Sequence, residues 1–168
     1  MNEVREIVTK AIVAKGKKYI SLSHSIDSNK NPYSILGCWV INHEFEAMRN
    51  DDLVDINGIF EVNIWYSTEE NMRTDVIREK VAYKKDIKVK RIVNEYLKNT
   101  DDVLVKILKH PTVTNAKIID GEIKIDVDFE ILAEVIGETK MQVTVFTPVT
   151  QEEDIDDLDI EVNEDFLG

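Results

Sequence analysis

"EIKIDVDFEILAEV", residues 122–135, alternates apolar and polar side chains almost without a break. Ile123, Ile125, Val127, Phe129, Ile131, Ala133 and Val135 fall on one face, and Lys124, Asp126, Asp128, Glu130 and Glu134 on the other. Successive side chains of a strand point to opposite faces, so this period of two predicts an antiparallel strand with one buried and one wet side. Just before it, Asp120 and Gly121 suit the positive φ of a two-residue hairpin turn. Residues 112–119 are therefore expected to pair back on this strand.

The same parity recurs in "VDINGIFEVNIWYS", residues 54–67, where Val54, Ile56, Phe60, Val62, Ile64 and Tyr66 point inward and Asp55, Glu61, Asn63 and Ser67 outward. Gly58 interrupts the inward row and reads as a bulge or bend. Sliding the chain by 69 residues lays Val54, Ile56, Phe60, Glu61 and Val62 over Ile123, Ile125, Phe129, Glu130 and Ile131, and Cys38 over Ile107. Two readings fit that offset: a pair of related β modules, near 34–91 and 103–147, or unrelated strands that share an alternation.

Further strands are expected at 6–14, 17–25, 34–42, 74–92 with a break near Lys84, 103–110 and 138–147. The first also fits a helical stripe through Val4, Ile7, Val8, Ala11 and Ile12, but its Ile, Val and Thr content and the nearby Gly16 favour a strand. Residues 24–34 and 94–102, rich in Asn, Asp and Ser, read as loops. About ten short strands and little helix predict an all-β fold, an antiparallel β-sandwich-like domain over residues 1–148. An acidic, flexible interaction tail over 149–168 completes the chain.

The tail dominates the electrostatics. Residues 151–168 hold nine acids and no base, which leaves 24 acids against 21 bases, a charge of −3, for residues 1–150 out of a total of −12. A nearly neutral body with an anionic end speaks against nucleic-acid binding, which needs cationic surface to release phosphate counterions. The chain has no run of eighteen apolar residues, and no signal-peptide pattern opens it, so no membrane insertion and a cytoplasmic site of synthesis are expected. Its single cysteine cannot form an internal disulfide.

Reactive side chains concentrate in "SILGCWVINHEFEA", residues 34–47, with Cys38, His43, Glu44 and Glu46. Such residue types bind zinc or carry out acid–base chemistry. Alternation, however, sets Leu36, Cys38, Val40 and Asn42 on one side and Ile35, Gly37, Trp39 and Ile41 on the other. Cys38 then stands in an apolar row, as a small buried hydrophobe does. His24, His43 and His110 are far apart in the chain, and no ligand-pair spacing, phosphate loop or dinucleotide fingerprint occurs. The carboxylate pairs Glu44/Glu46 and Asp126/Asp128 sit on strand faces, where a solvated role is the ordinary one. No catalytic, metal or cofactor residue is assigned. The alternative, a small-ligand- or metal-binding β module, would have to use Cys38, His43 and nearby carboxylates.

Two segments have the character of docking sites. "REKVAYKKDIKVKR", residues 78–91, carries Lys84, Lys85, Lys88 and Lys90, which read either as a charged edge strand or as a dock for an acidic partner, such as the tail of a neighbouring subunit. The tail interleaves its acids with Ile155, Leu158, Ile160, Val162, Phe166 and Leu167. Large apolar residues in an acidic end suit either a segment that orders on a partner or a solubilising extension.

Taken together, "REIVTKAIVAKGKK" at 5–18, "SILGCWVINHEFEA" at 34–47, "VDINGIFEVNIWYS" at 54–67, "FEILAEVIGETKMQVTV" at 129–145 and the terminal "NEDFLG" resemble the outer spore coat morphogenetic protein CotE family of endospore-forming bacteria. The resemblance implies a non-enzymatic scaffold made in the mother-cell cytoplasm during sporulation and then resident in the spore coat. It further implies self-association, docking on the basement-layer spore coat morphogenetic ATPase, and recruitment of outer spore coat proteins by carboxy-terminal sequence. The chain departs from the family pattern in a shorter, less acidic tail and in Cys38, which stands where a second glycine after Gly37 is expected.

Overall fold

The computed structural model describes residues 2–93 and 102–148. Seven strands succeed one another: β1 Asn2–Asp27, β2 Ser34–Asn50, β3 Leu53–Thr68, β4 Arg73–Lys88, β5 Lys90–Arg91, β6 Val103–Ile119 and β7 Glu122–Phe146. They make two antiparallel sheets, one of order β5-β1-β7-β6 and one of order β2-β3-β4. Contacts divide the chain into two compact units, Val8–Lys140 and a smaller one made of Met1–Ile7 and Met141–Gly168. In the smaller unit, the described residues are chiefly the first of β1 and the last of β7. Both core rows lie in the larger unit.

The inward row of β7 is buried as its alternation demands: Ile123, Ile125, Val127, Phe129, Ile131, Ala133 and Val135 are all at most 1% exposed. Its counterpart on β3, Val54, Ile56, Phe60, Val62, Ile64 and Tyr66, is buried as deeply. The rows meet across the layer, where Phe60 and Phe129 stand edge to face with centroids 6.4 Å apart. Each such side chain contributes about 1.5–3 kcal/mol through its removal from water, so these two central strands supply most of the driving force.

The Asp120–Gly121 hairpin forms as expected, with φ of 52° and 80° and Ile119 opposite Glu122. Asp51, at φ 53°, opens the equivalent turn between β2 and β3. The β2–β3 hairpin starts at Ser34 and Leu53, and the β6–β7 hairpin at Val103 and Glu122, the same 69-residue offset.

Several boundaries differ from expectation because strands run through residues that read as breaks. Segments 6–14 and 17–25 form a single β1, with Val13 and Ala14 both buried where its inward face changes parity. Gly16 does not end the strand. A Cβ there would stand 2.0 Å from the carbonyl oxygen of Lys88, so its bare backbone lets the end of β4 come close. Segment 74–92 breaks at Val89 rather than near Lys84, and this break carries the chain from one sheet to the other, since β5 pairs with β1 through Ala14–Arg91 and Lys15–Lys90. Segments 103–110 and 112–119 join across a buried Pro111, with register shifts absorbing the residue that cannot donate to the ladder. Segment 138–147 is the continuation of β7. The loop expected at 24–34 is shorter, since β1 runs to Asp27, and most of 94–102 lies outside the described residues.

Opposite the β4–β5 corner, β2 runs beside β6 and closes the other flank. Strand β2 is longer than expected and carries two register shifts, between Ile35 and Gly37 and between Ile41 and Glu44. The first turns Leu36 outward and Ile35 inward, opposite to simple alternation; the second leaves Asn42 exposed at φ 54° and swings His43 inward. Gly58 marks no bulge, because the β3–β4 register runs through it unbroken, with Gly58 opposite Tyr83. On the outer face of β7, Glu134 is only 5% exposed and pairs with Lys106 at 3.0 Å, so that face is not uniformly wet.

Candidate functional site

The two register shifts of β2 separate the reactive side chains of residues 34–47. Cys38, opposite Ile64, faces inward and is half-buried. Desolvation pushes its thiol up to about 11, so it stays protonated at neutral pH and lacks the thiolate a nucleophile or zinc ligand needs. His43 also faces inward, several rungs away. Glu44 and Glu46 are exposed on the opposite face of the strand, opposite Ile59 and Asn57. The four residues therefore do not converge.

His43 has a structural setting instead. Its Nε2 lies 2.5 Å from the Tyr83 hydroxyl. The rings of Phe45, Tyr83 and Phe129 stand 5.4, 5.7 and 5.7 Å away, centroid to centroid. Desolvation, and secondarily the charge of His110, lowers the His43 pKa; desolvation pushes Tyr83 up to about 12. Both groups are neutral near pH 7 and satisfy each other with one hydrogen bond inside an aromatic cage. Space for the tyrosine comes from Gly58, where a Cβ would stand 2.3 Å from Tyr83 Cζ and Oη. His24 is 3.4 Å from Glu79, and His110 is exposed. Among the described residues, no three His, Cys, Asp or Glu side chains are grouped to hold a metal ion.

The outer faces of the two sheets differ in kind. Outside the four-stranded sheet, the acids of β7 are engaged by their neighbours. The Tyr19 hydroxyl donates to Asp128 Oδ2 at 2.7 Å, the Ser23 hydroxyl donates to Asp126 Oδ1 at 2.7 Å, and Lys17 approaches Glu130 at 3.6 Å. Asp128 is held below the ordinary carboxylate range, first by its hydrogen bond from Tyr19 and then by one from Ser21.

Outside the three-stranded sheet, the register lines up exposed apolar groups. Trp65 lies between Gly37 and Val76, and Ile59 between Glu44 and Ala82, while Trp39 and Ile41 project from β2 beside them. Trp39 and Trp65, the only tryptophans of the chain, stack with centroids 6.4 Å apart and remain 45% and 40% exposed. Asn63 lies between Trp39 and Arg78, and its Oδ1 is buried without a hydrogen-bond partner among the described residues. The sequence signal for this face is the parity of Trp39 and Trp65, opposite to that of Cys38 and Tyr66. A search for reactive groups misses it, because indoles carry no acid–base or metal chemistry.

The basic segment is divided by the same geometry. Lys84 and Lys88 lie on this outer face together with Arg78 and Lys80; Lys85 takes the face of its partner Ile56, and Lys90 belongs to β5 in the other sheet. The apolar tail residues Ile155, Leu158, Ile160, Val162, Phe166 and Leu167 lie outside the described residues.

Among the described residues, no helix is long and apolar enough to cross a membrane. Residues 3–167 match the family model described as Outer spore coat protein E (CotE). Comparison with curated proteins and with solved structures gave no match.

Proposed function

The chain belongs to the outer spore coat protein E (CotE) family and is a spore coat protein, and from that premise we propose that it acts as a morphogenetic scaffold, without catalysis, that self-associates around the forespore and recruits outer-coat proteins. The observation that carries this reading is the contrast between the two sheet faces. On one, the acids of β7 are engaged by hydrogen bonds and ion pairs from neighbouring strands, whereas the other exposes two stacked tryptophans beside Arg78, Lys80, Lys84, Glu44 and Glu46, which form no ion pair among the described residues. A large apolar patch rimmed by polar groups is the usual mark of a protein-binding surface. A coat scaffold also benefits from many modest contacts, because linked binding events raise effective concentration without strong individual interfaces.

In this reading the β body supplies the lattice, and residues 149–168 recruit clients through Ile155, Leu158, Ile160, Phe166 and Leu167. The chain is made in the mother-cell cytoplasm, docks on the basement-layer morphogenetic ATPase and then resides in the coat. Light-scattering mass against concentration tests self-association: mass that climbs with concentration supports the scaffold, and a strict monomer up to the highest soluble concentration removes it. Capture of coat extracts on full-length and tail-truncated protein tests recruitment; equal capture by both removes the tail from that role.

A further inference from the structure

The exposed face of the three-stranded sheet is self-complementary. Its cations, Arg78, Lys80, Lys84 and Lys88, stand on β4 beside one acid, Asp86, whereas β2 brings Glu44 and Glu46, and β3, between them, adds Asp55 and Glu61, the latter opposite Lys80. Glu46, Asn57 and Lys84 form one rung, and Trp39, Asn63 and Arg78 another. Neighbouring strands are about 4.8 Å apart, so the backbones of Glu46 and Lys84 of one chain are separated by roughly 10 Å with Asn57 between them. No ion pair among the described residues engages Arg78, Lys80, Lys84, Glu44 or Glu46.

The geometry points to a second copy of this chain as the occupant of that face, packed sheet to sheet about a two-fold axis parallel to β3. This inference rests on the self-association proposed above and names its surface. Such an axis lays β4 of one copy over β2 of the other at matching rungs. Glu46 then meets the partner copy's cation at position 84, twice by symmetry, and Trp39 meets the guanidinium at position 78, a favourable cation–π contact. Trp65 and Ile59, on the central strand, fall close to the axis, each against its counterpart in the other copy, and Glu61 between them stands beside Lys80 of its own rung. Aligned packing with strands within about 30° and sheets about 10 Å apart is the ordinary solution for two apolar sheet faces. The alternative two-fold, perpendicular to the strands, would lay the cationic β4 on its own copy and is disfavoured by like charge.

The test uses two single charge reversals in the full chain, E46K and K84E, measured by light-scattering mass and by tryptophan emission over a concentration series. Wild type should gain mass with concentration while its emission moves to the blue, because both tryptophans enter the interface. Each reversal alone makes two like-charge contacts and should weaken association roughly tenfold or more. An equimolar mixture of the two variants should recover wild-type behaviour, since every contact between E46K and K84E chains again joins opposite charges. That recovery also shows both variants to be folded. A mixture no better than either variant, with wild type still associating, overturns this interface and leaves self-association standing. A wild type that remains monomeric at all concentrations overturns both. Emission that is already blue in the monomer and independent of concentration means the face is covered within one chain, and overturns the inference as well.

Discussion

Replacing Gly58 by alanine tests whether the aromatic cage is built around a missing Cβ. A methyl group there would stand 2.3 Å from Tyr83 Cζ and Oη and 2.5 Å from Cε1, far inside van der Waals contact. Tyr83 cannot swing aside freely. Its ring meets Phe129 at 5.0 Å and Phe60 at 6.1 Å, and its hydroxyl holds His43 at 2.5 Å. Two terms oppose. Alanine in a strand interior recovers about 0.5–1 kcal/mol of backbone entropy relative to glycine. Overpacking costs about 1–3 kcal/mol, and a displaced hydroxyl gives up a hydrogen bond worth about 0.5–1.5 kcal/mol. The net expectation is a loss of about 1–3 kcal/mol, or roughly 3–9 °C in Tm for a chain of this size. Urea and thermal unfolding of wild type, G58A, Y83A and the double variant would measure it. In the Y83A background the clash is gone, so G58A should become neutral or slightly stabilising. A G58A protein as stable as wild type, or an equal cost in both backgrounds, would refute the cage as drawn.

Protonation of His43 should make the fold acid-sensitive. Its folded-state pKa lies below the unfolded value, so the unfolded chain takes up the proton first, and the associated stability is present above about pH 6.5 and lost as pH falls below it. H43Q should flatten that part of the stability profile; an unchanged acid limb would remove His43 as its source. Cys38, pushed up to about 11 from a reference of 9.0, carries about a hundredfold less thiolate than a free cysteine, so alkylation of native protein near pH 8 should be slower by about that factor and should recover in urea. Equal rates in native and unfolded protein would contradict its desolvated setting. Gly121 sits at φ 80° with open space around it, so G121A should cost about 1–2 kcal/mol through backbone strain alone, and an unaltered urea midpoint would refute that account.

Alternation located both central strands and the Asp120–Gly121 turn because each signal is local: a period of two and a turn that needs positive φ are written in adjacent residues. The bulges of β2 were not visible in the same way. Leu36 and Asn42 are chemically acceptable within a strand, and only the fixed register against β3 shows that each shifts the parity of the residues after it. That shift turns His43 into the core and Glu44 and Glu46 outward, which is why four residues of catalytic type within nine positions do not form a site. Gly16 and Gly58 misled for a related reason. A glycine reads as an interruption along its own strand, yet here each answers to a group on another strand, the Lys88 carbonyl and the Tyr83 ring, that no local pattern names.

The same rule that found the core carries the functional argument further when it fails. Alternation requires the residues between buried positions to be polar where the outer face is wet, and β7 complies with Lys124, Asp126, Asp128 and Glu130. On β3 the corresponding outward positions include Ile59 and Trp65, and on β2 Trp39 and Ile41, all exposed by more than a third. A solvated face has no reason to keep two indoles in water, because each would contribute several times more by burial than a polar residue gains by staying exposed. The exception therefore calls for a partner surface. The excess of cations on β4 and the carboxylates Glu44 and Glu46 on β2, with Asp55 and Glu61 between them on β3, favour the second copy proposed above, turned over about the line of β3, because that rotation lays β4 on β2.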